Sequence, residues 1–492
     1  MLQLRPYQSD SITELREGFK NHQRQILCLP TGAGKTVIFS SIVAAAALKG
    51  RTVLILTHRA ELFSQTLKAI NKHDFPVCRI DKTNKVIFGE SKIFLAMIET
   101  FKRRIKLFEH IKFDLIICDE AHRNDFFTVF EAFPSVKSLG CTATPSNTKL
   151  HKYYTNLIAP VDVPELIEMG FLSPLKSFMM TTDLSDLEKD KSGEFTEESN
   201  FKHFAKSKLF EGVIDEYVKK CNGKKTICFN CNVAHSDLMA KAFNAAGIRS
   251  YSVTSETPEK ERKWIFEAFE KGEFLVLNNC GIATTGTDIP SVEVIILNRA
   301  IGVLSLYLQC VGRGGRLFPG KTFFTLLDFG MNIKRHGLWE QNRQWTLEPP
   351  KKKNKLGAAP LRCCTNCEAM LPAQQRLCNF CGFEITAKEA ELLKGELVEV
   401  KSNINTHPKV SENLVGRKIS DLSIQELIDL EPSKKYSIQF IWRLVRSKGE
   451  SGIIEYANAK KYKAGWIHRA IETMAEELST GGTTFKNITI KN

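Results

Sequence analysis

The sequence predicts two tandem α/β lobes, each built on a parallel β-sheet, followed by a small zinc ribbon and an α-helical C-terminal region. Three observations carry this expectation. Short apolar runs alternate with helix-like stretches twice along the chain, and such alternation implies parallel sheets with ligands gathered at the C-terminal strand ends. A glycine-bearing turn, Thr31-Gly32-Ala33-Gly34-Lys35-Thr36, stands between a strand-like and a helix-like run. Beyond both lobes, Cys364-x-x-Cys367 and Cys378-x-x-Cys381 enclose ten residues.

The chain has 492 residues, enough for about three domains. Apolar residues make up 43% and charged residues 25%, as expected of a soluble globular protein. The net charge of +14 favours a polyanionic partner. Residues 1–160 carry 23 basic and 14 acidic side chains, and residues 347–383 carry 6 and 2, so the excess falls on the first lobe and the segment after the second. No run reaches the ~18 apolar residues of a membrane span, and Met1 to Pro6 lacks the apolar core of a signal peptide. Of 14 cysteines, nine are scattered and five lie between 363 and 381. That pattern suits a reducing cytoplasm and one metal site.

The first lobe is expected over residues 1–160. Arg5 and Gln8 open an amphipathic helix with Ile12, Leu15 and Phe19 at helical spacing. Gln8 can read an adenine edge, because an amide both donates and accepts; a capped surface helix has the same pattern. Gln25 to Leu29 reads as a strand and Val37 to Leu48 as a helix, with Thr31 to Thr36 between them. Backbone N–H groups of such a turn face phosphate oxygens, Lys35 reaches the β/γ-phosphates, and the Thr36 hydroxyl ligates Mg²⁺. Further strands are expected at 51–56, 86–88, 93–96, 113–118 and 138–141. The strand ending at Cys118 delivers Asp119-Glu120-Ala121-His122. Two consecutive carboxylates fit a metal site with an adjacent water, Asp119 for Mg²⁺ and Glu120 for the water; a helix cap favours the same residues.

The second lobe is expected over residues 161–346. Asp183 to Asn200 reads as a polar, exposed connection leading to a helix from about Phe201. Strands follow at 225–229, 249–253, 274–277 and 292–297. No second phosphate loop occurs, but Gly312-Arg313-Gly314-Gly315-Arg316 sets two arginines three apart in a glycine-rich turn. Their planar forks suit charge on transferring phosphoryl oxygens. Cys228 and Cys231 lie in an apolar strand and read as core rather than as a metal pair.

Gly32-x-Gly34-Lys35-Thr36, Asp119-Glu120-Ala121-His122 and Thr142-Ala143-Thr144-Pro145, in this order, resemble the motifs of superfamily-two helicases and translocases. The resemblance implies RecA-like lobes that bind ATP through Arg5, Gln8 and Thr31 to Thr36. It implies arginine fingers at Arg313 and Arg316, and nucleotide or nucleic-acid contacts at Gly286 and Asp288. It further implies that His122, Thr142 and Thr144 couple nucleotide state to nucleic-acid grip. His58, Arg59, Thr100, Thr284 and Gln309 then fall among the residues nearest the nucleic-acid track.

Residues 347–362 form a basic, proline-bearing linker, and residues 363–383 a ribbon. Cys364, Cys367, Cys378 and Cys381 suit tetrahedral Zn²⁺, with Cys363 an alternative to Cys364. Together with Thr284-Thr285-Gly286, Leu306 to Gln309, Gly312-Arg313-Gly314 and Gly320-Lys321, the ribbon resembles the RadD branch of the superfamily, a group of DNA-repair ATPases, and phage replication helicases of similar build. Two positions depart from that branch: Thr287 stands where it usually has Phe, and Gly315 where it usually has Leu. Residues 384–492 read as helices at 386–398, 423–429, 437–448, 452–461 and 465–478. The aromatics and cations interleaved between Tyr436 and Trp466 suit either a small helical core or a nucleic-acid surface.

The expected activity is ATP-dependent translocation on, or remodelling of, DNA in replication, recombination or repair. RNA helicase activity and an ATP-switched recruitment module are the alternatives, and a restriction-type motor is disfavoured because no nuclease carboxylate–lysine cluster is evident. ATP, Mg²⁺ and Zn²⁺ are the expected cofactors. The expected partners are DNA and a single-stranded-DNA-binding protein or other replication and repair proteins, acting with a monomer in the cytoplasm of a bacterial or phage-infected cell.

Overall fold

Strands that read as nearly continuous Val, Ile and Leu are buried on both faces, and only a covered parallel sheet provides such a place. The computed structural model describes residues 4–82, 91–146, 149–180, 184–205, 207–282, 289–348, 361–363, 370–372, 397–400, 421–430, 441, 444–445, 448–460, 467 and 470–471. It divides into a unit of Met1–Ser402 and a second of Asn403–Asn492.

The first sheet contains β1 (Arg24–Cys28), β2 (Val53–Thr57), β3 (Val77–Ile80), β4 (Ile93–Met97), β5 (Leu115–Asp119), β6 (Lys137–Thr142) and β7 (Asn156–Ile158). Its order is β3-β4-β2-β5-β6-β1-β7, and every pairing is parallel. β2 is buried along its whole length. The sequence expectation of a strand at 86–88 falls outside the described residues.

The second sheet holds β8 (Leu175–Met180), β9 (Thr226–Asn230), β10 (Ser250–Val253), β11 (Val276–Asn279), β12 (Val294–Asn298) and β13 (Phe324–Asp328). A hairpin, β14 (Leu361–Cys363) with β15 (Met370–Pro372), precedes β16 (Leu397–Val400). The order is β10-β11-β9-β12-β13-β8-β16, parallel except that β16 runs antiparallel to β8. β16 corrects the end of the helix expected at 386–398, because 397–398 belong to a strand with Leu397 and Val400 buried; residues 386–396 lie outside the described residues. The edge of β8 offers unpaired backbone groups, and pairing them outweighs weak local helix preference. Cys228 and Cys231 are fully buried in this lobe's core.

The stretch expected as an exposed connection is exposed over much of its length, at Ser185, Asp186, Glu188 to Ser192, Glu197 and Glu198, but not throughout. Phe195 and Asn200 are buried within it, and Lys189 bridges Phe195 as a short antiparallel pair. The Glu194 carboxylate accepts from Gly302 N (3.0 Å) and Val303 N (2.9 Å) and lies 3.3 Å from Arg299 Nη2. Asn200 exchanges hydrogen bonds with the backbone of Ala300. Glu194 and Asn200 thus satisfy the backbone loop at 300–303, while most of the other polar side chains of the stretch face solvent.

The second unit, taken by itself, has helices Ile424–Leu430 and Gly449–Ala459 around Leu422, Leu427, Ile441, Leu444, Val445, Ile453 and Tyr456. Of the aromatics and cations between Tyr436 and Trp466, Lys448, Tyr456 and Lys460 are described, with Lys460 5.9 Å from the Tyr456 ring. Among the described residues no helix is long and apolar enough to cross a membrane, and no three His, Cys, Asp or Glu residues gather as a metal cluster. Cys364, Cys367, Cys378 and Cys381 lie outside the described residues.

Candidate active site

The phosphate loop follows β1 and ends where the helix Lys35–Leu48 begins. Gly32 and Gly34 have φ of +90° and +82°, left-handed values that a Cβ disfavours. Gly34 is the N-cap of that helix, so the loop and the positive end of the helix dipole converge. Lys35 Nζ donates to the Leu29 carbonyl at 3.1 Å. The first helix, Pro6–Asn21, braces the loop from one side. Gln8 Nε2 donates to the Ala33 carbonyl (3.2 Å), and the Tyr7 hydroxyl donates to the same oxygen (2.7 Å). Arg5 N donates to Gln8 Oε1 at 3.0 Å, which fixes the orientation of that amide. Tyr7 is a brace that the sequence reading passed over, although it stands between Arg5 and Gln8.

β5 carries Asp119 into the same cleft, with Glu120 immediately after it. Glu120 has φ +55°, a costly conformation for a non-glycine residue that is typical of functional sites. Its N–H donates to Asp119 Oδ1 at 3.0 Å. Burial and the neighbouring Glu120 charge push the Asp119 carboxyl above the usual carboxylate range, while Lys35 pulls it back. Glu120 Oε2 is buried and makes no hydrogen bond within the protein; His122 Nδ1 lies 3.4 Å away. A buried acceptor of this kind fits a bound water, and the adjacent Asp119, with the Thr36 hydroxyl opening the helix, fits a hard divalent cation.

His122 Nδ1 is 2.9 Å from Thr142 Oγ1, and Thr144 N donates to that same hydroxyl at 3.1 Å. Burial lowers the His122 pKa. Burial, with Arg123 and Arg59 nearby, lowers that of His58 to about 3, so His58 is neutral at physiological pH. Thr100 is buried in the helix Ile98–Arg103.

The second lobe closes the cleft. The helix Leu304–Val311, with Gln309 half-buried, leads into the arginine turn. A Cβ on Gly312 would stand 2.8 Å from Thr31 Cβ, and one on Gly32 would stand 3.9 Å from Arg316 Cγ. The arginine turn therefore touches the phosphate loop directly. Arg313 is buried and Arg316 half-buried, and burial lowers both pKa values to about 10, so both stay charged at neutral pH. The Glu120 charge is among the influences felt by Arg313. Away from the arginines, Arg59 Nη1 donates to the Gly281 carbonyl (3.3 Å), and Arg262 Nη1 lies 3.7 Å from Glu61 Oε1, both across the lobes.

Two family models match the chain, one described as the res subunit of type III restriction enzymes over residues 1–147, the other as the helicase conserved C-terminal domain over residues 208–318. A 51.5 kDa protein of Lactococcus phage (isolate 7-9) is 32% identical over 403 residues, covering 78% of this chain and 85% of the relative. The chain belongs to helicase superfamily two.

The helicase is also similar to IRC3 of Saccharomyces cerevisiae, provisionally designated an ATP-dependent helicase: 30% identity over 354 residues, 66% of this chain and 51% of the relative. It therefore spans about half the length of that protein. A solved fragment from Vibrio vulnificus YJ016, provisionally assigned as the HsdR subunit of a type I restriction enzyme, matches with TM-score 0.53 and 25% identity over 66% of this chain and 63% of the other. The type ISP restriction-modification enzyme LlaBIII bound to DNA matches with TM-score 0.51 and 18% identity, over 66% of this chain and 27% of the other, a likeness of fold alone. As a member of the superfamily the protein is an ATP-dependent enzyme of helicase type.

Thus the helicase cleft brings together Arg5, Gln8, Thr31 to Thr36, Asp119, Glu120, Arg313 and Arg316. Thr284, Gly286 and Asp288 lie outside the described residues. The structure adds Ser173 and Trp339, which the sequence reading passed over, and gives a role to Lys321, which it quoted only as part of the family pattern. Ser173 N donates to Gly315 O (2.8 Å), and its hydroxyl donates to Arg316 O (3.1 Å). Lys321 Nζ donates to the carbonyls of Gly314 (2.6 Å), Arg316 (2.8 Å), Val292 (2.5 Å) and Pro290 (3.3 Å). Trp339 explains Gly315, because a Cβ there would meet its ring at 2.6 Å.

Proposed function

We propose that the protein is an ATP-driven motor that translocates on or remodels DNA in replication, recombination or repair, and that it is of the RadD type. The observation that carries this is the cleft itself, where the phosphate loop, the Asp119–Glu120 pair and the arginine turn meet across two lobes. Lys35 and the loop N–H groups hold the β/γ-phosphates, and Arg5 and Gln8 read the adenine. Thr36 and Asp119 hold Mg²⁺, which supplies charge neutralisation when bound. Glu120 orients the attacking water and takes its proton. Arg313 and Arg316 neutralise charge on the transferring phosphoryl group. Closing the lobes completes the site and opening them releases products, so a strand held by both lobes is moved in steps.

Support for DNA comes from the basic first lobe and from similar proteins with DNA in their names, among them the DNA 3'-5' translocase XPB2 of Sulfurisphaera tokodaii, 24% identical. The four cysteines hold structural Zn²⁺ in this reading, and the β14–β15 hairpin among them supports a ribbon. The test is ATP hydrolysis with single-stranded, duplex and forked DNA and with matched RNA. Stimulation by DNA over RNA is expected; the reverse makes it an RNA motor, because the 2′-OH discriminates the two. No stimulation by either overturns the motor reading.

A second reading follows from similarity to the EcoAI endonuclease subunit of Escherichia coli, 26% identical over 66% of this chain and 46% of the relative. Here the chain is the motor of a restriction assembly. Hydrolysis that requires a methyltransferase-type partner and its recognition sequence supports this reading; hydrolysis on any DNA by the chain alone opposes it.

A further inference from the structure

Between the two sheets the chain runs through the helix Val163–Glu168 and three residues beyond its end. Phe171 N and Leu172 N both donate to the Leu166 carbonyl (2.8 and 3.0 Å), so these residues are tied to that helix. The next contacts reach three different parts of the cleft. The Phe171 ring lies 4.4 Å from the Arg5 guanidinium carbon and 5.6 Å from the Tyr7 ring. Leu172 Cδ2 is 3.0 Å from where a Cβ on Gly32 would stand. Ser173 holds the carbonyls of Gly315 and Arg316. Three consecutive residues therefore touch the adenine-reading residues, the phosphate loop and the arginine turn.

The far end of this bridge is stiff. Lys321 gathers the Gly314 and Arg316 carbonyls to its ammonium together with those of Pro290 and Val292. Gly314 and Gly315 lie against Phe324 and Trp339, whose rings pack edge to face with centroids 5.4 Å apart. A close-packed turn moves as a unit rather than yielding atom by atom. A displacement of Phe171 that reaches Ser173 therefore shifts the backbone of both arginines.

We infer that Phe171-Leu172-Ser173 couples recognition of the nucleotide base to the placement of Arg313 and Arg316, with Phe171 as the specificity-determining residue and Ser173 as a positioning residue. The inference rests on the ATPase reading above. Its consequence is that base identity governs turnover as well as affinity. A base that leaves Arg5 and Tyr7 in place keeps the arginines aligned, and one that displaces them pulls Ser173 and misaligns the turn. Because bridge and turn are joined by two hydrogen bonds, removing the serine hydroxyl weakens this link without touching the nucleotide.

The test measures kcat and KM for ATP and for CTP at saturating single-stranded DNA, in the wild type, Ser173→Ala, Phe171→Leu and Phe171→Ala, with thermal unfolding of each. In the wild type, kcat for ATP is expected to exceed that for CTP about tenfold, the factor from losing one hydrogen-bonded alignment. In Ser173→Ala that kcat ratio falls towards one while the KM ratio is retained. In Phe171→Ala both ratios fall, and Phe171→Leu is intermediate. If Ser173→Ala lowers kcat for both nucleotides by one common factor, or leaves the ratio unchanged, Ser173 is only structural and the inference is overturned. Wild-type hydrolysis with no kcat preference overturns the inference alone; absence of wild-type hydrolysis on any nucleic acid overturns the ATPase reading with it.

Discussion

His122 Nδ1 lies 2.9 Å from the Thr142 hydroxyl, joining the end of β5 to the end of β6. Thr144 N donates to that hydroxyl too, so one oxygen ties three motif positions together. Thr142→Val keeps the shape and removes the oxygen. We expect it to leave ATP binding unchanged and to lower DNA-stimulated turnover about tenfold, as loss of a buried hydrogen-bonded group does. ATP consumed per base moved should rise. Unchanged consumption per base would remove this contact from any coupling role.

In the proposed mechanism Lys35 meets the phosphates and Glu120 takes the proton from the water, and Lys35→Ala and Glu120→Gln test those two roles. Each should lower kcat by about a hundredfold or more. They should separate in binding, with Glu120→Gln retaining ATP and Lys35→Ala losing it, as read by a fluorescent ATP analogue. Robust turnover by either variant refutes the role assigned to its residue.

Gly314 has no room for a side chain, because a Cβ would stand 2.2 Å from Phe324 Cδ2. Gly314→Ala should destabilise the protein by about 1–3 kcal/mol through overpacking and should depress hydrolysis more than ATP binding, because the arginine turn moves. Thermal melts and steady-state kinetics on one preparation test this. Gly314→Ala combined with Phe324→Leu, which shortens the obstructing side chain, should recover part of the lost stability.

Glu165 closes a capping box with Asp162, accepting from Asp162 N at 2.8 Å while Asp162 Oδ1 accepts from Glu165 N at 2.9 Å. Burial first, and the Asp162 charge second, raise its pKa from 4.5 to about 7. The folded state therefore holds this proton more tightly than the unfolded state. The resulting stability is fully present below about pH 4.5 and is lost as pH rises through about 7. Glutamine keeps the cap without the charge. Glu165→Gln should melt above the wild type at pH 8 and lose that advantage at pH 4.5, and a constant difference between the two pH values refutes this assignment.

The four cysteines should bind Zn²⁺ tetrahedrally. Metal analysis of protein purified without chelator should give one zinc per chain, reduced by Cys364→Ser or Cys378→Ser. If Cys363→Ser removes the metal and Cys364→Ser does not, the knuckle is formed with the neighbouring residue. Zinc-free protein of unchanged melting behaviour refutes the site.

The motifs were legible because each is local. Gly32 and Gly34 betray a turn that needs left-handed backbone, β5 ends in two carboxylates after an apolar run, and the strand–helix rhythm announces two sheets. What could not be read is what lies far apart along the chain. Nothing near Ser173 points to Gly315, and nothing in the polar stretch 184–200 singles out Glu194 and Asn200 as the two side chains that satisfy a backbone loop about 100 residues later. The last two residues of the helix expected at 386–398 are strand instead, and their partner, the free edge of β8, lies more than 200 residues earlier.

The sequence by itself determined the strand–helix alternation of both lobes and the residue types at their strand ends, because periodicity and turn chemistry act over a few residues. Tertiary structure decided that Gly312 meets Thr31, that Lys321 gathers four carbonyls, and that Phe171 to Ser173 spans the cleft. These are contacts between distant segments, set by how the lobes close and pack, and no short-range pattern encodes them.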